Sequence, residues 1–195
     1  ILFDPQGAKR VGERTHLHPI LNGELWVFGE GYSVMRSEKS LTDLARTHLQ
    51  LAGLPDETAT VVRHDGRTGR TDLHLAVCDQ QHDRIRHLVV ELKAPHVKLG
   101  RKELDQVEDY ANTVVDTPAF ANGRSDWDFI LVGTTLDDIV RRRLIAHRDD
   151  GLFWRNADQG KPRVRAFVRT WSEILTENKQ RLNFLSRGLA LDPSV

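Results

Sequence analysis

Two stretches of alternating polar and apolar residues restrict the fold of this chain more than any other feature of its sequence. Residues 71–77 carry leucine or valine at every second position, and residues 87–93 repeat the alternation after a polar segment. This period is that of a β-strand with two different faces. Pro95 ends the second stretch, because proline cannot donate to the hydrogen-bond ladder. The sequence therefore predicts an antiparallel hairpin over residues 71–93.

Three charged residues share one face of this predicted hairpin. Asp72 lies on the first strand, and Glu91 and Lys93 lie on the second. A register centred on the turn at residues 81–82 places the two carboxylates opposite each other, with Cβ atoms about 5 Å apart. Opposed like charges destabilise a sheet unless a cation neutralises them, and carboxylate oxygens suit Mg²⁺ or Mn²⁺. The pattern therefore predicts a metal site with a lysine beside it.

The rest of the chain alternates between helical and strand patterns. Sequences of the capping-box type begin helices at Ser40 and Thr170, and residues 128–133 form an apolar run typical of a strand buried on both faces. Further helices are expected at residues 13–21, 98–115 and 135–146, and further strands at residues 61–63, 152–154 and 164–168. This order predicts an α/β fold in which helices flank a central mixed β-sheet.

Charge and length limit the classes of function. The chain has 195 residues, with 28 basic and 28 acidic side chains, which fits one globular domain of zero net charge. A generally polycationic nucleic-acid binder is excluded, whereas a local basic patch beside acidic metal ligands is not. We find no apolar run long enough to cross a membrane and no signal peptide. The single cysteine, Cys78, indicates a reducing compartment, so we expect a cytoplasmic protein.

The start of the chain suggests that it belongs to a larger protein. It begins at Ile1 without an initiator methionine. We therefore expect residues 1–195 to form one domain at the C-terminal end of a longer chain, with residues 1–12 as an N-terminal extension.

Three motifs in the middle of the chain resemble those of the PD-(D/E)XK nuclease superfamily. They are Gly69-Arg-Thr-Asp72, Leu88-Val-Val-Glu91-Leu-Lys93-Ala-Pro95 and Glu103-Leu-Asp-Gln106-Val-Glu-Asp-Tyr110. The combination is similar above all to Shedu-like nuclease domains of bacterial anti-phage defence. The resemblance covers about residues 13–135, since the helix and the tryptophan-bearing turn that precede the hairpin are also similar.

The resemblance implies a restriction-endonuclease-like fold and a magnesium-dependent endonuclease that cleaves DNA. The residues that it assigns to metal binding are Asp72, Glu91, the backbone carbonyl of Leu92, and Glu13. It implies that Lys93 is the catalytic lysine and that Gln106 supports it from the following helix. Thr71 stands where the superfamily motif has proline, and Glu24 and Glu30 compete with Glu13 for its assignment.

Partners follow partly from the resemblance and partly from charge. Domains of this kind are often fused behind an ATPase or sensor module, and we also expect a partner subunit or a homo-oligomer. Lys98, Arg101 and Lys102 are expected to open the helix after the hairpin and to contact DNA phosphates, with Arg141–Arg143 as the alternative patch. The alternative substrate is RNA. The rival function is a catalytically inactive nuclease fold that binds nucleic acid or a partner subunit.

The histidines near the hairpin have simpler interpretations. His74 shares the predicted face of Asp72, and the simpler interpretation is a histidine on a solvent-facing strand surface. His16 and His18 resemble a metal-binding pair, but two histidines on one helix face favour a spacing of four residues.

Overall fold

A computed structural model of the protein describes residues 4–29, 32–56, 60–79, 84–121, 125–145, 151–156 and 161–190. Six of its strands form one sheet in the order β1-β2-β3-β5-β8-β7, and β4 pairs with β6 in a separate ladder. The strands are β1 Ser33–Ser40, β2 Arg70–Asp79, β3 Arg84–Leu92, β4 Lys98–Leu99, β5 Ser125–Gly133, β6 Thr135–Leu136, β7 Leu152–Arg155 and β8 Arg163–Thr170.

The main sheet is mixed, as predicted. Strands β1, β2 and β3 pair antiparallel, β3, β5 and β8 pair parallel, and β7 returns antiparallel to β8. The hairpin register is also the predicted one, since Leu73 pairs with Val90. Asp72 and Glu91 lie one position beyond this pair, so the same register places them opposite each other. The predicted turn centre, at residues 81–82, lies outside the described residues.

Helices cover both faces of this sheet. They are α1 Pro5–Arg10, α2 His18–Gly23, α3 Leu41–Leu51, α4 Arg101–Asp116, α5 Asp138–Ile145 and α6 Trp171–Ala190, with a π-helical turn at Glu13–Leu17. The capping boxes predicted at Ser40 and Thr170 are both present. The chain thus has an α/β fold with a central mixed sheet flanked by helices. No helix within the described ranges has the length and apolar character needed to cross a membrane.

Each face of the sheet has its own hydrophobic core. Helices α3 and α4 pack on one face, where Leu44 and Val107 belong to the same core as Trp127 of β5. On the other face, Val90 and Trp171 belong to the core that the N-terminal turns and α6 cover. The hairpin strands are therefore buried on both sides, and residues 71–76 are all buried.

Three predicted elements differ from the structure, and one strand was not predicted. The helix predicted from residue 135 begins at Asp138, because Thr135–Leu136 form β6. Residues 61–63 form no strand, because the Val61 N–H donates to the Thr42 hydroxyl rather than to a neighbouring strand. The edge strand β1 lies in a polar stretch without the apolar alternation from which strands are predicted. Lys98 does not open the helix after the hairpin, since it belongs to β4, and α4 begins at Arg101.

Candidate active site

Asp72 and Glu91 lie side by side where β2 begins and β3 ends. Both side chains are buried, and both face the α4 side of the sheet because the alternate residues of each strand face the opposite core. Lys93 follows directly after the end of β3. The strand alternation thus brings the three charged residues of the sequence prediction together at one end of the hairpin.

A closed triangle of hydrogen bonds links Lys93, Glu91 and Gln106. The Lys93 amine donates to Glu91 Oε1 at 2.8 Å and to Gln106 Oε1 at 3.1 Å. The Gln106 amide N–H donates to the same Glu91 oxygen at 2.7 Å. Gln106 therefore uses both ends of its amide, holding the carboxylate with one end and the amine with the other. Its place in the second turn of α4 lets this helix position the end of β3.

Tyr110 extends this network by one helical turn. Its hydroxyl accepts from the Gln106 amide at 3.2 Å and donates to the Arg70 carbonyl oxygen at 2.8 Å. Burial, followed by the nearby Glu91 charge, raises the pKa of Tyr110, so the phenol keeps the proton that it donates. The ring packs tightly on Gly69, where an added Cβ would lie 2.5 Å from a ring carbon. This packing explains the glycine before Asp72 in the first motif.

Main-chain contacts hold Asp72 from two directions. Its Oδ2 accepts from the Leu92 N–H at 2.7 Å, which ties the carboxylate to β3. Its carbonyl oxygen accepts from His18 Nε2 at 2.9 Å, which ties β2 to α2. Because a carbonyl only accepts, His18 carries a proton on Nε2. Sequence reasoning missed this role of His18, since no local pattern connects residues so far apart in the chain.

The side chains of His16 and His18 have different hydrogen-bond partners. His16 Nδ1 accepts from the Gly12 N–H at 3.0 Å, a contact within its own turn. His18 instead reaches the Asp72 carbonyl oxygen. These two contacts direct the rings to different partners, which agrees with their unfavourable spacing in sequence.

Oxygen ligands for a divalent cation are present at this site. Two buried carboxylates suit Mg²⁺, which keeps several waters and is commonly bound by one or two carboxylates plus substrate phosphates. Among the described side chains, no group of three or more carboxylates, histidines or cysteines is arranged to hold a metal ion. The residues fit a cation that takes its remaining ligands from water, phosphate and a backbone carbonyl, for which Leu92 stays the predicted donor.

Glu13 is the third acidic residue of the predicted metal-ligand set, and the structure does not test its assignment. Glu13 begins the π-helical turn, and its side chain lies outside the described part of the structure. Of its two competitors, Glu30 also lies outside the described residues. The Glu24 carboxylate is exposed and accepts from the Trp26 indole N–H at 2.6 Å.

The residues proposed to contact phosphate lie at the start of α4. Lys98, Arg101 and Lys102 are all exposed. The Arg101 Nε atom lies 3.6 Å from Asp105 Oδ2. Within the alternative patch, Arg143 pairs with Glu108 at 3.1 Å. Lys98, Arg101 and Lys102 therefore stay the predicted phosphate contacts.

A second polar group on the same face escaped sequence reasoning. His74 is 1% exposed, so its interpretation as a surface histidine is wrong. Its Nε2 lies 3.0 Å from His87 Nδ1, and His87 Nε2 lies 2.9 Å from His48 Nδ1. The His87 ring stacks on Trp127 with centroids 3.8 Å apart. Burial, followed by its two histidine neighbours, holds the pKa of His87 well below its usual value.

Comparisons with known proteins give one structural similarity. No family model matches the chain, and no curated protein matches its sequence. The structure is similar to a crystal structure of a repair endonuclease from Pyrococcus abyssi, with a TM-score of 0.40 and 17% sequence identity. The match covers 71% of this chain and 45% of that protein, so the chain spans less than half of that protein's length. At this TM-score the similarity adds nothing to the assignment of function.

Proposed function

We propose that this protein is a metal-dependent nuclease that hydrolyses DNA phosphodiester bonds with Mg²⁺ or Mn²⁺. The observation that supports this most is the triangle of Lys93, Glu91 and Gln106 beside Asp72. It combines two oxygen ligands for a hard cation with a fixed positive charge. This combination favours phosphodiester hydrolysis, because negative charge builds up on the phosphate in the transition state.

Each residue has a distinct task in the proposed reaction. A divalent cation, when bound, supplies positive charge for the phosphate and lowers the pKa of a bound water. Asp72 and Glu91 hold that cation through carboxylate oxygens. Lys93 places its ammonium beside the scissile phosphate and stabilises the developing negative charge. Gln106 fixes the directions of the Lys93 amine and the Glu91 carboxylate, so neither group must reorganise during the reaction.

The motif resemblance suggests a biological setting for this activity. Glu-Leu-Lys-x-Pro at Glu91–Pro95, together with Gln106 and Tyr110, resembles Shedu-like nuclease domains with a restriction-endonuclease-like fold. We therefore propose a role in anti-phage defence. The same resemblance suggests that an upstream ATPase or sensor module, or a partner subunit, controls the nuclease.

One contact favours a different function. The Lys93 amine already offsets the Glu91 charge at 2.8 Å, so this pair can be stable without a cation. An inactive nuclease fold that binds nucleic acid or a partner subunit would have the same ion pair. The two functions differ in metal binding and cleavage, which makes them separable by experiment.

Metal-dependent stability tests the ligand assignment. We expect Mg²⁺ or Mn²⁺ to raise the melting temperature of the wild type, because ligand at a hundredfold excess over Kd stabilises the native state by about 2.7 kcal/mol. Asp72→Asn should lose most of this gain, since it removes the negative charge while keeping the size of the side chain. Asp56→Asn, at an exposed acid away from the hairpin, is the control and should keep the full gain.

Two results would contradict the assignment. Equal metal stabilisation in wild type and Asp72→Asn would place the cation elsewhere. An unchanged melting temperature in the wild type at millimolar Mg²⁺ and Mn²⁺ would favour the inactive module. The mutant must first be shown to be folded by circular dichroism, because Asp72 also accepts from the Leu92 N–H.

A further inference from the structure

The opposite face of the main sheet carries a group of arginines at the end away from the candidate active site. They lie over the first halves of β3, β5 and β8, on the face that Leu88 shares with the second core. The register aligns Arg86 with Asp126 and then with Arg163, and it aligns Asp128 with Arg165 and then with Arg155. We call this group the arginine face; its members are Arg84, Arg86, Arg155, Arg163 and Arg165.

Positive charge exceeds negative charge among the described side chains of this face. Asp126 is buried and accepts from both Arg84 and Arg163. Asp128 accepts from Arg165 through both oxygens, at 2.8 and 2.7 Å. The described side chains of this face therefore comprise five arginines and two aspartates. The side chains of Arg163 and Arg165 remain 54% and 33% exposed while they form these ion pairs.

Aromatic side chains line a groove beside these arginines. Phe28, Tyr32 and Phe167 line a groove of about 270 Å³ together with Leu88 and Ile130, and the groove also reaches Asp128 and Arg169. The Arg165 guanidinium lies 5.2 Å from the centre of the Phe167 ring. Burial raises the pKa of Tyr32, and among the nearby charges Arg86 and Arg165 lower it while Asp128 raises it. Aromatic rings and guanidinium groups thus lie beside one another on this face of the sheet.

We propose that the arginine face binds single-stranded nucleic acid. Arginine donates two parallel hydrogen bonds to a phosphate, and no lysine belongs to the described part of this face. Unpaired bases stack on aromatic rings and on guanidinium planes, whereas bases inside a duplex cannot reach such groups. This surface is separate from the predicted phosphate-binding residues at α4 and adds a second binding site to the proposed nuclease.

Removing two arginines tests the charge contribution. Arg86→Ala/Arg155→Ala suits this test because both residues are exposed and neither is a partner of Asp126 or Asp128 in the ion pairs described above. We expect affinity for a fluorescent single-stranded oligonucleotide, measured in EDTA, to fall by about tenfold. The salt slope should fall by about 0.7 for each phosphate that the variant no longer neutralises. The control, Arg46→Ala/Arg67→Ala, changes the net charge equally at exposed positions elsewhere and should retain both values.

A stacking variant and a second ligand identify the partner. Tyr32→Leu should weaken oligonucleotide binding by about fivefold or more without changing the salt slope, because stacking does not depend on counterions. DNA and RNA oligonucleotides are measured in parallel to distinguish the two sources of single strands. A poly-glutamate peptide should bind more weakly than either and should be insensitive to Tyr32→Leu.

Three outcomes would overturn the proposal. The first is equal oligonucleotide affinity in the arginine variant and its control. The second is binding of poly-glutamate as tight as that of the oligonucleotides with the same arginine dependence, which would identify an acidic protein partner. The third is unchanged affinity in folded Tyr32→Leu. These binding measurements do not depend on cleavage. A wild type that does not cleave but still shows the effects of the arginine and Tyr32 substitutions would contradict the proposed nuclease activity and support the proposed binding surface.

Discussion

Two groups of polar side chains share the α4 face of β2 and β3, and they balance their polarity in opposite ways. At the end of the hairpin, Glu91 is offset by the Lys93 ammonium and the Gln106 amide. In the middle of the hairpin, His74 and His87 are buried against Trp127, with hydrogen bonds between imidazole rings. The first group contains opposite charges that offset each other, whereas the second is built from neutral imidazole rings.

The difference follows from position along the strands. A neutral imidazole has one donor and one acceptor, so the chain from His48 through His87 to His74 satisfies both hydrogen bonds of the central ring without a net charge. A carboxylate at the same depth would need a cation or several donors. At the strand end, the start of α4 and the residues after β3 supply those donors. We therefore expect the charged residues at the end of the hairpin to serve catalysis. The histidine cluster in the middle should contribute mainly to stability.

The largest expected stability effect is in the histidine cluster. Trp127 is fully buried and contacts all three histidine rings. Trp127→Ala should lower the free energy of unfolding by about 3–5 kcal/mol, because it creates a cavity in the core. Gln106→Ala should cost only about 1 kcal/mol, since the side chain is partly exposed and contributes hydrogen bonds. Urea denaturation of both variants measures the difference, and equal losses would show that the two regions have the same structural role.

Acid should destabilise the protein through the histidine cluster. The pKa of His87 is held well below 6.5 in the folded protein, so the unfolded chain binds a proton that the folded chain rejects. The contribution of His87 to stability is therefore retained above pH 6.5 and lost as the pH falls below it, by about 1.4 kcal/mol per pH unit. Urea denaturation from pH 8 to about pH 5 tests this. A flat profile in the wild type would contradict the prediction.

The smallest expected effects concern binding of duplex DNA at the start of α4. Replacing Lys98, Arg101 and Lys102 with alanine should reduce the salt slope of affinity by about 0.9 for each phosphate that is no longer neutralised. Folding should change little, because the three side chains are exposed. Anisotropy measurements at several salt concentrations give the slope. If the triple variant keeps the wild-type slope, the phosphate-binding residues lie elsewhere, and Arg141 and Arg142 would be tested next.

Much of the site was predictable because its signals are local. Alternation placed Asp72, Glu91 and Lys93 on one face, and the centre of the polar turn fixed the register that the structure has. The position of Gln106 depended on the motif resemblance rather than on periodicity. Capping sequences at Ser40 and Thr170 gave correct helix starts because a cap involves only four neighbouring residues.

The other parts depend on contacts between residues distant in sequence. A polar residue on an alternating strand normally faces solvent, so His74 gave no sign that His87 and Trp127 would bury it. Strand β1 is held by its pairing with β2 rather than by its own pattern. His18 acts on Asp72 through a backbone carbonyl, which no side-chain motif encodes. In each case tertiary packing outweighs local preference.

Cleavage of supercoiled plasmid by the wild type and by Lys93→Ala, with and without Mg²⁺, tests the central claim most directly. The nuclease account predicts metal-dependent nicking or linearisation by the wild type and a rate about 10²–10³ lower in the variant, because one preorganised charge is removed. Lys179→Ala, at an exposed lysine of α6, should cleave at the wild-type rate. The assay should include a longer chain if one carries this domain, and duplex DNA, single-stranded DNA and RNA with Mg²⁺ and Mn²⁺. Complete inactivity of the wild type under all of these conditions, or equal rates for wild type and Lys93→Ala, would contradict the account.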